Sequence, residues 1–194
     1  MNDLLEGFDS AYDETMRHEG GYANDPHDKG GETYCGISRR WHPSWSGWRI
    51  VDACKVKNKA NLQALYAEPN LKRLVRSFYR AEFWDKLRGD EIDGLKSAIA
   101  KELFDSAINV DPIDAVKFLQ TALNMLGEVN GRSLYRALKV DGKIGPATSE
   151  ALTLCLRSAC NADLLILRCM NGEQYIHYKN NPQHKRYRGW FART

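Results

Sequence analysis

A helical pattern that stops at two glycines sets the terms for this fold. Leu4, Leu5, Phe8, Ala11, Tyr12 and Met16 recur at helical spacing, with acids on the opposite face. Gly20 and Gly21 end the run, because glycine supplies the left-handed geometry that closes a helix C-terminus. Residues 24–32 do not rejoin a helix: Pro26, Gly30 and Gly31 break it, and Asp25 and Asp28 suit turns. The segment reads as a loop or hairpin, followed by residues 33–38 as one short strand. Such a chain is mainly helical with a small β insertion near its N-terminus.

Beyond the strand, Trp41, Trp45 and Trp48 sit at helical spacing and read as core, with a sugar-stacking platform as the alternative. From Lys59 onward the pattern is helical almost to the end. The spacing predicts helices over 61–67, 70–87 and 93–110, the last with Leu95, Ile99, Leu103, Phe104 and Ala107 as its apolar stripe. Asp111 as N-cap and Pro112 at the first helical position open another through about Leu126. Asp141-Gly142 marks a turn, Pro146 starts a further helix, and the last long one runs from Asp163 to about Tyr178. No internal repeat or low-complexity segment interrupts this order. The 194 residues suffice for one compact domain or two small ones sharing an interface. A seam is expected near 90–94 or at Asp111-Pro112, and the division adopted is 1–92 and 93–194.

Charge narrows the partners. The net charge of +3 hides an asymmetry: residues 1–34 hold nine acids against Arg17 and Lys29, which is −7 and leaves +10 for the remainder. Residues 175–194 carry five bases and no acid. A basic region of this kind meets nucleic acid, a membrane surface or an anionic polymer such as a bacterial wall. The acidic N-terminal third argues against a dedicated nucleic-acid binder. No apolar run is long enough to span a bilayer, so stable membrane insertion is not expected. The acidic N-terminus lacks the basic and apolar regions of a signal peptide, so synthesis in the cytoplasm is expected. Cys35, Cys54, Cys155, Cys160 and Cys169 form no CxxC pair, which points to reduced, mostly buried thiols and to neither a disulfide framework nor a metal site.

The turn-rich segment also carries chemistry. Glycoside hydrolysis needs a carboxylic acid to protonate the leaving oxygen, and most such enzymes add a second carboxylate. Glu19, held at a helix end beside a glycine-lined opening, suits the acid if the fold desolvates it. Asp28 is placed by the intervening turn to fold back across a cleft as the second carboxylate, with Asp25 as its rival. Thr33 is suited to hydrogen-bond the attacking water. The same residues also suit a helix end and ordinary turn formers, and spacing alone does not decide between the readings.

These residues carry a resemblance. Glu19-Gly20-Gly21-Tyr22, Asn24-Asp25-Pro26, Asp28-Lys29-Gly30-Gly31, Thr33 and Gly36-Ile37-Ser38 resemble the "EGGY…D.GG.T..GI" signature of the family 108 glycoside hydrolases, bacterial and phage N-acetylmuramidases. Leu103-Phe104-Asp105-Ser106-Ala107-Ile108-Asn109 is similar to the family's "LFD.AVN" helix. Phe118-Leu119-Gln120 with residues 141–148 resembles the "LQ…DG.IGP.T" pattern of helical peptidoglycan-binding domains, in which glycines and proline mark a tight turn and a helix start. Gly189-Trp190 and Arg193 resemble the family's C-terminal "GW..R". One departure is Tyr34-Cys35, where the family more often has an Asn and an aromatic.

The resemblance implies a mainly α fold: a lysozyme-like α+β catalytic region with a small hairpin over 1–92, then a helical bundle-like peptidoglycan-binding region over 93–194. It implies a muramidase in which Glu19 is the acid, Asp28 and Thr33 handle the water, and Tyr22, Asp25, Asp105 and Asn109 contact substrate. No metal or organic cofactor is implied. The expected partner is peptidoglycan, met by a monomer at the cell wall or periplasm. Lacking a signal peptide, the protein would depend on a holin, secretion machinery or lysis to get there, as a phage endolysin or a secretion-associated enzyme. The competing classes are a lytic transglycosylase, which does not need Asp28, and a non-catalytic peptidoglycan-binding protein.

Overall fold

The structure, a computed structural model, describes residues 3–16, 21–24, 30–58, 65 and 67–182. The chain forms two compact units, one over Tyr12–Glu82 and the other over Met1–Ala11 with Phe83–Thr194. Helix α1 (Asp3–Met16) begins in the second and ends in the first.

In the unit Tyr12–Glu82, three short strands form an antiparallel sheet in sequence order: β1 (Tyr22–Asn24), β2 (Glu32–Tyr34) and β3 (Ile37–Ser38). The register pairs Tyr22 with Tyr34, Ala23 with Thr33 and Asn24 with Glu32, then Thr33 with Ser38 and Tyr34 with Ile37. The expected single strand over 33–38 is therefore two strands. Cys35 (φ 46°) and Gly36 (φ 77°) both take the left-handed conformation and fold the chain back in a two-residue turn. The Cys35 N–H donates to the Gly21 carbonyl at 3.0 Å, and the Tyr79 hydroxyl donates to the Cys35 carbonyl at 2.7 Å. These bonds fix the turn although a cysteine occupies it.

Aromatic rings fill this unit. Tyr34 stacks on Trp45 at 6.3 Å, and Trp45 meets Trp48 edge-on at 5.2 Å. The tryptophans divide by environment: Trp48 is buried, Trp45 half-buried and Trp41 68% exposed. Only Trp48 lies on helix α2 (Gly47–Asn58), because residues 39–46 form turns. Helix α3 (Pro69–Tyr79) opens on the Glu68 cap, whose carboxylate accepts from the Asn70 N–H at 3.2 Å, with Pro69 at the first helical position. It passes into a π-helical turn over Arg80–Trp84, so the helix expected over 70–87 changes pitch before its end. Most of the helix expected over 61–67 lies outside the described residues.

In the other unit, Phe8, Trp84 and Phe104 meet edge-to-face at 5.6–5.9 Å around a common centre. Gly89 is buried against the Trp84 indole, where any β-carbon would collide with the ring. The helix expected over 93–110 is two helices, α4 (Gly89–Leu95) and α5 (Ser97–Asn109), separated by Lys96 in extended geometry. The Lys96 ammonium at this break lies 2.6 Å from the Asp163 carboxylate. Ile99, Leu103, Phe104 and Ala107 are buried as expected, whereas Leu95, past the break, is exposed.

Asp111 caps α6 (Pro112–Leu126) by accepting the Asp114 N–H at 2.9 Å, as its sequence predicts. Helix α6 packs against α5, α7 (Pro146–Ser158) and α8 (Ala162–Asn180). A second hairpin, β4 (Glu128–Val129) and β5 (Arg132–Ser133), turns at Asn130-Gly131, both left-handed.

The turn after this hairpin is tied down by Gln120, which is 1% exposed. Its Oε1 accepts the N–H groups of Asp141 at 3.0 Å and Gly142 at 2.9 Å. Its Nε2 donates to Asp141 Oδ1 at 3.1 Å and to the Lys143 carbonyl at 3.0 Å. The "LQ" and "DGKIGPAT" elements are thus two halves of one clasp, and Gly142 (φ 74°) leaves no room for a side chain beside Ile113.

All five cysteines are free. The expected burial holds only for Cys155; Cys35, Cys54 and Cys169 are partly exposed, and Cys160, in the turn between α7 and α8, is exposed.

Candidate active site

The described sheet carries two of the expected site residues, Thr33 and Tyr22. Thr33 lies at the middle of β2, opposite Ala23 and Ser38, and projects from the face opposite to buried Tyr34. Tyr22 lies at the start of β1, and its hydroxyl donates to Glu32 Oε1 at 2.9 Å. Glu19, Asp25 and Asp28 lie outside the described residues, as do Gly189, Trp190 and Arg193.

Glu32 is the carboxylate that the sequence reading passed over, and its surroundings give it a structural part. Lys55 Nζ donates to Oε1 at 2.6 Å, and Arg39 Nε lies 2.8 Å from Oε2 as an ionic contact rather than a directed hydrogen bond. Arg39 also clasps Asp52 with both terminal nitrogens, at 2.6 and 3.1 Å, and stacks on the Trp48 ring at 4.3 Å. That guanidinium, with a smaller contribution from Lys55, holds the Asp52 carboxyl below the usual carboxylate range. Two cations and a phenol saturate Glu32, which leaves it a clamp between sheet and α2 rather than a free base.

A second group sits on α5. Asp105 and Asn109 share a helix face, as their four-residue spacing predicts, and Asn109 Nδ2 donates to the Asp105 carboxylate at 2.9 Å and to its carbonyl at 2.8 Å. One turn earlier, Glu102 accepts from the Ser106 hydroxyl at 3.1 Å. Burial pushes the Glu102 carboxyl up to about 7, the Asp105 charge adds to the rise, and the Ser106 bond opposes it. The sequence signal for Glu102 was available: it stands three and seven residues before Asp105 and Asn109, beside the apolar stripe. Its protonation has a measurable consequence. The unfolded chain releases this proton near 4.5 and the folded chain holds it to about 7, so stability falls across that interval and the deficit persists above it. Glu102→Gln is expected to raise stability at pH 8 by up to about 3 kcal/mol and to change little at pH 4. Chemical denaturation from pH 4 to 9 checks this, and equal effects at both ends would sink it.

Among the described residues, no group of three acidic, histidine or cysteine side chains is arranged to hold a metal, and no helix is long and apolar enough to cross a membrane.

A mainly helical architecture with a small three-stranded hairpin sheet, followed by packed helices clasped around a DG-turn, defines a lysozyme-like glycoside hydrolase fold joined to a helical wall-binding region. Residues 12–110 match the family model described as "Glycosyl hydrolase 108", and the chain belongs to that family. Residues 114–194 match the model described as "Predicted Peptidoglycan domain". The solved structure of SagA from Brucella abortus is similar, with a TM-score of 0.62 and 22% identity over 97% of this chain and 90% of that chain, a likeness in fold. A comparison with curated proteins returns no match. The protein is a glycoside hydrolase, and its substrate is peptidoglycan.

Proposed function

We propose that the enzyme is an N-acetylmuramidase that hydrolyses the β-1,4 bond between N-acetylmuramic acid and N-acetylglucosamine. Glu19 protonates the leaving oxygen, and Asp28 with Thr33 activates and orients the water, Asp25 being the rival second carboxylate. Tyr22, Asp25, Asp105 and Asn109 contact the glycan. The observation that carries this reading is the family match over 12–110, which spans the whole Glu19–Ser38 motif and α5. The position of Thr33 at the middle of β2, free of the Glu32 clamp, agrees with it. Catalysis belongs to the N-terminal region and wall binding to the C-terminal one, and the enzyme works as a monomer. It reaches the wall through a holin, secretion machinery or lysis, as an endolysin or a secretion-associated enzyme.

Digestion of purified peptidoglycan by wild type, Glu19→Gln and Asp28→Asn, with product ends read by mass spectrometry, tests the chemistry. Reducing muramic ends from the wild type, lost in both variants, are expected. Anhydro-muramic ends with a tolerant Asp28→Asn would instead identify a transglycosylase. Absence of any cleavage by folded wild type would leave a binding protein.

A further inference from the structure

Within the unit Tyr12–Glu82, the end of α1, the β2–β3 turn and α3 enclose an open cavity of about 410 Å³. That volume falls in the range of small-ligand sites, about 300–1,000 Å³. Its floor is apolar and aromatic: Tyr34 and Val75 are each 2% exposed, and Tyr12 and Cys35 complete the lining. The Tyr79–Cys35 hydrogen bond fixes the wall formed by the turn, so the cavity is held in shape.

Charge at the rim is one-sided. Among the described residues lining the cavity, Lys72, Arg73 and Arg76 face a single acid, Asp13. Arg76 is committed: it bonds Asp13 at 3.1 Å and lies over the Tyr12 ring at 4.8 Å. Burial above all, with the nearby Cys35, pushes the Tyr12 hydroxyl up to about 12, so the phenol stays neutral. Lys72 and Arg73 are exposed and make no ion pair among the described residues. An apolar floor beneath two uncommitted cations recognises a carboxylate carried on a short aliphatic body. A neutral sugar offers nothing to those cations, and a wall phosphate nothing to the floor. Peptidoglycan carries the matching chemistry in its stem peptides, which bear carboxylates on alanyl and methylene-rich residues.

We infer that this cavity binds the acidic stem peptide of the substrate, its carboxylate on Lys72 and Arg73 and its aliphatic part on Tyr12, Tyr34 and Val75. The inference rests on the reading that peptidoglycan strands are cleaved at the neighbouring hairpin. Tyr34 directly follows Thr33 in β2 and projects from the opposite face of the strand, so the stem is held apart from Thr33.

The test is a calorimetric titration of the full chain with the tripeptide L-alanyl-γ-D-glutamyl-diaminopimelate, alongside its carboxamide form and inorganic phosphate. Saturable binding by wild type is expected, weakened roughly tenfold or more in Lys72→Glu/Arg73→Glu, retained in Lys72→Arg/Arg73→Lys, and lost on amidation. Circular dichroism confirms that the exposed substitutions leave the fold intact. No saturable binding, binding indifferent to the charge swap, or phosphate competing as well as the peptide would overturn the assignment. A paired digestion of peptide-bearing and amidase-stripped strands separates this from the hydrolase reading. Peptide binding without cleavage of either strand sinks the hydrolase reading alone; equal cleavage of both strands without peptide binding sinks the pocket alone.

Discussion

Glu19→Gln is expected to slow cleavage of glycan strands by roughly 10²–10⁴-fold, the usual contribution of a positioned general acid, with melting temperature close to wild type. The amide keeps the shape of the acid but has no acidic proton to give the leaving oxygen. The informative contrast is Glu32. Its carboxylate is bound by Lys55, Arg39 and the Tyr22 hydroxyl, so Glu32→Gln leaves two cations under-compensated and should register first as lost stability. Two glutamates thirteen residues apart in one motif are thus expected to fail in different ways. Turnover on purified walls and thermal denaturation of the same preparations separate them. If Glu19→Gln retained wild-type turnover, the acid would have to be sought elsewhere.

Gln120→Leu is expected to lower stability by about 3 kcal/mol. The substitution is close to volume-conserving, so packing around α6 survives. What is lost is the carboxamide that receives the Asp141 and Gly142 N–H groups and donates to Asp141 and Lys143. A buried group stripped of its partner costs about 1–3 kcal/mol. Two amides and a carbonyl are stripped here, and water reaching the turn relieves part of the total. Urea denaturation with an unchanged slope would report this as a stability change alone. A loss under about 1 kcal/mol would mean that Asn124, which bonds the Leu138 N–H and carbonyl at 2.7 and 2.9 Å, is enough to hold the loop.

Helix signals in this chain are local, and the structure follows them where a cap or a proline fixes the end. Asp111-Pro112 and Pro146 start helices where their sequence places them. Breaks imposed from a distance were not legible. The chain is extended at Lys96, whose ammonium pairs with Asp163, and residues 80–84 widen into a π-turn ending at Trp84, whose ring is received by Phe8, Phe104 and Gly89. Residues 33–38 read as one strand because a cysteine, rather than glycine or asparagine, holds the first left-handed position of the turn that divides them. The Asn130-Gly131 signal of the second hairpin was present and went unread amid helical surroundings. At the candidate site, the four-residue spacing of Asp105 and Asn109 predicts their shared face on α5, while Thr33 and Tyr22 enter through the resemblance. Glu32 and the rim of Lys72 and Arg73 could not be named in this way, because their meaning lies in burial and in the elements packed around them.

The hairpin tip at Asn130-Gly131 has a practical side. Both strands are exposed, and their register is held from outside: the Leu134 N–H bonds the Gly127 carbonyl at 2.8 Å, and the Tyr135 hydroxyl bonds the Leu123 carbonyl at 2.7 Å. The tip itself buries nothing. Foreign sequence spliced between Asn130 and Gly131, whether an epitope, a fluorophore tag or a second wall-targeting module, would lengthen the chain where loop closure costs little per added residue.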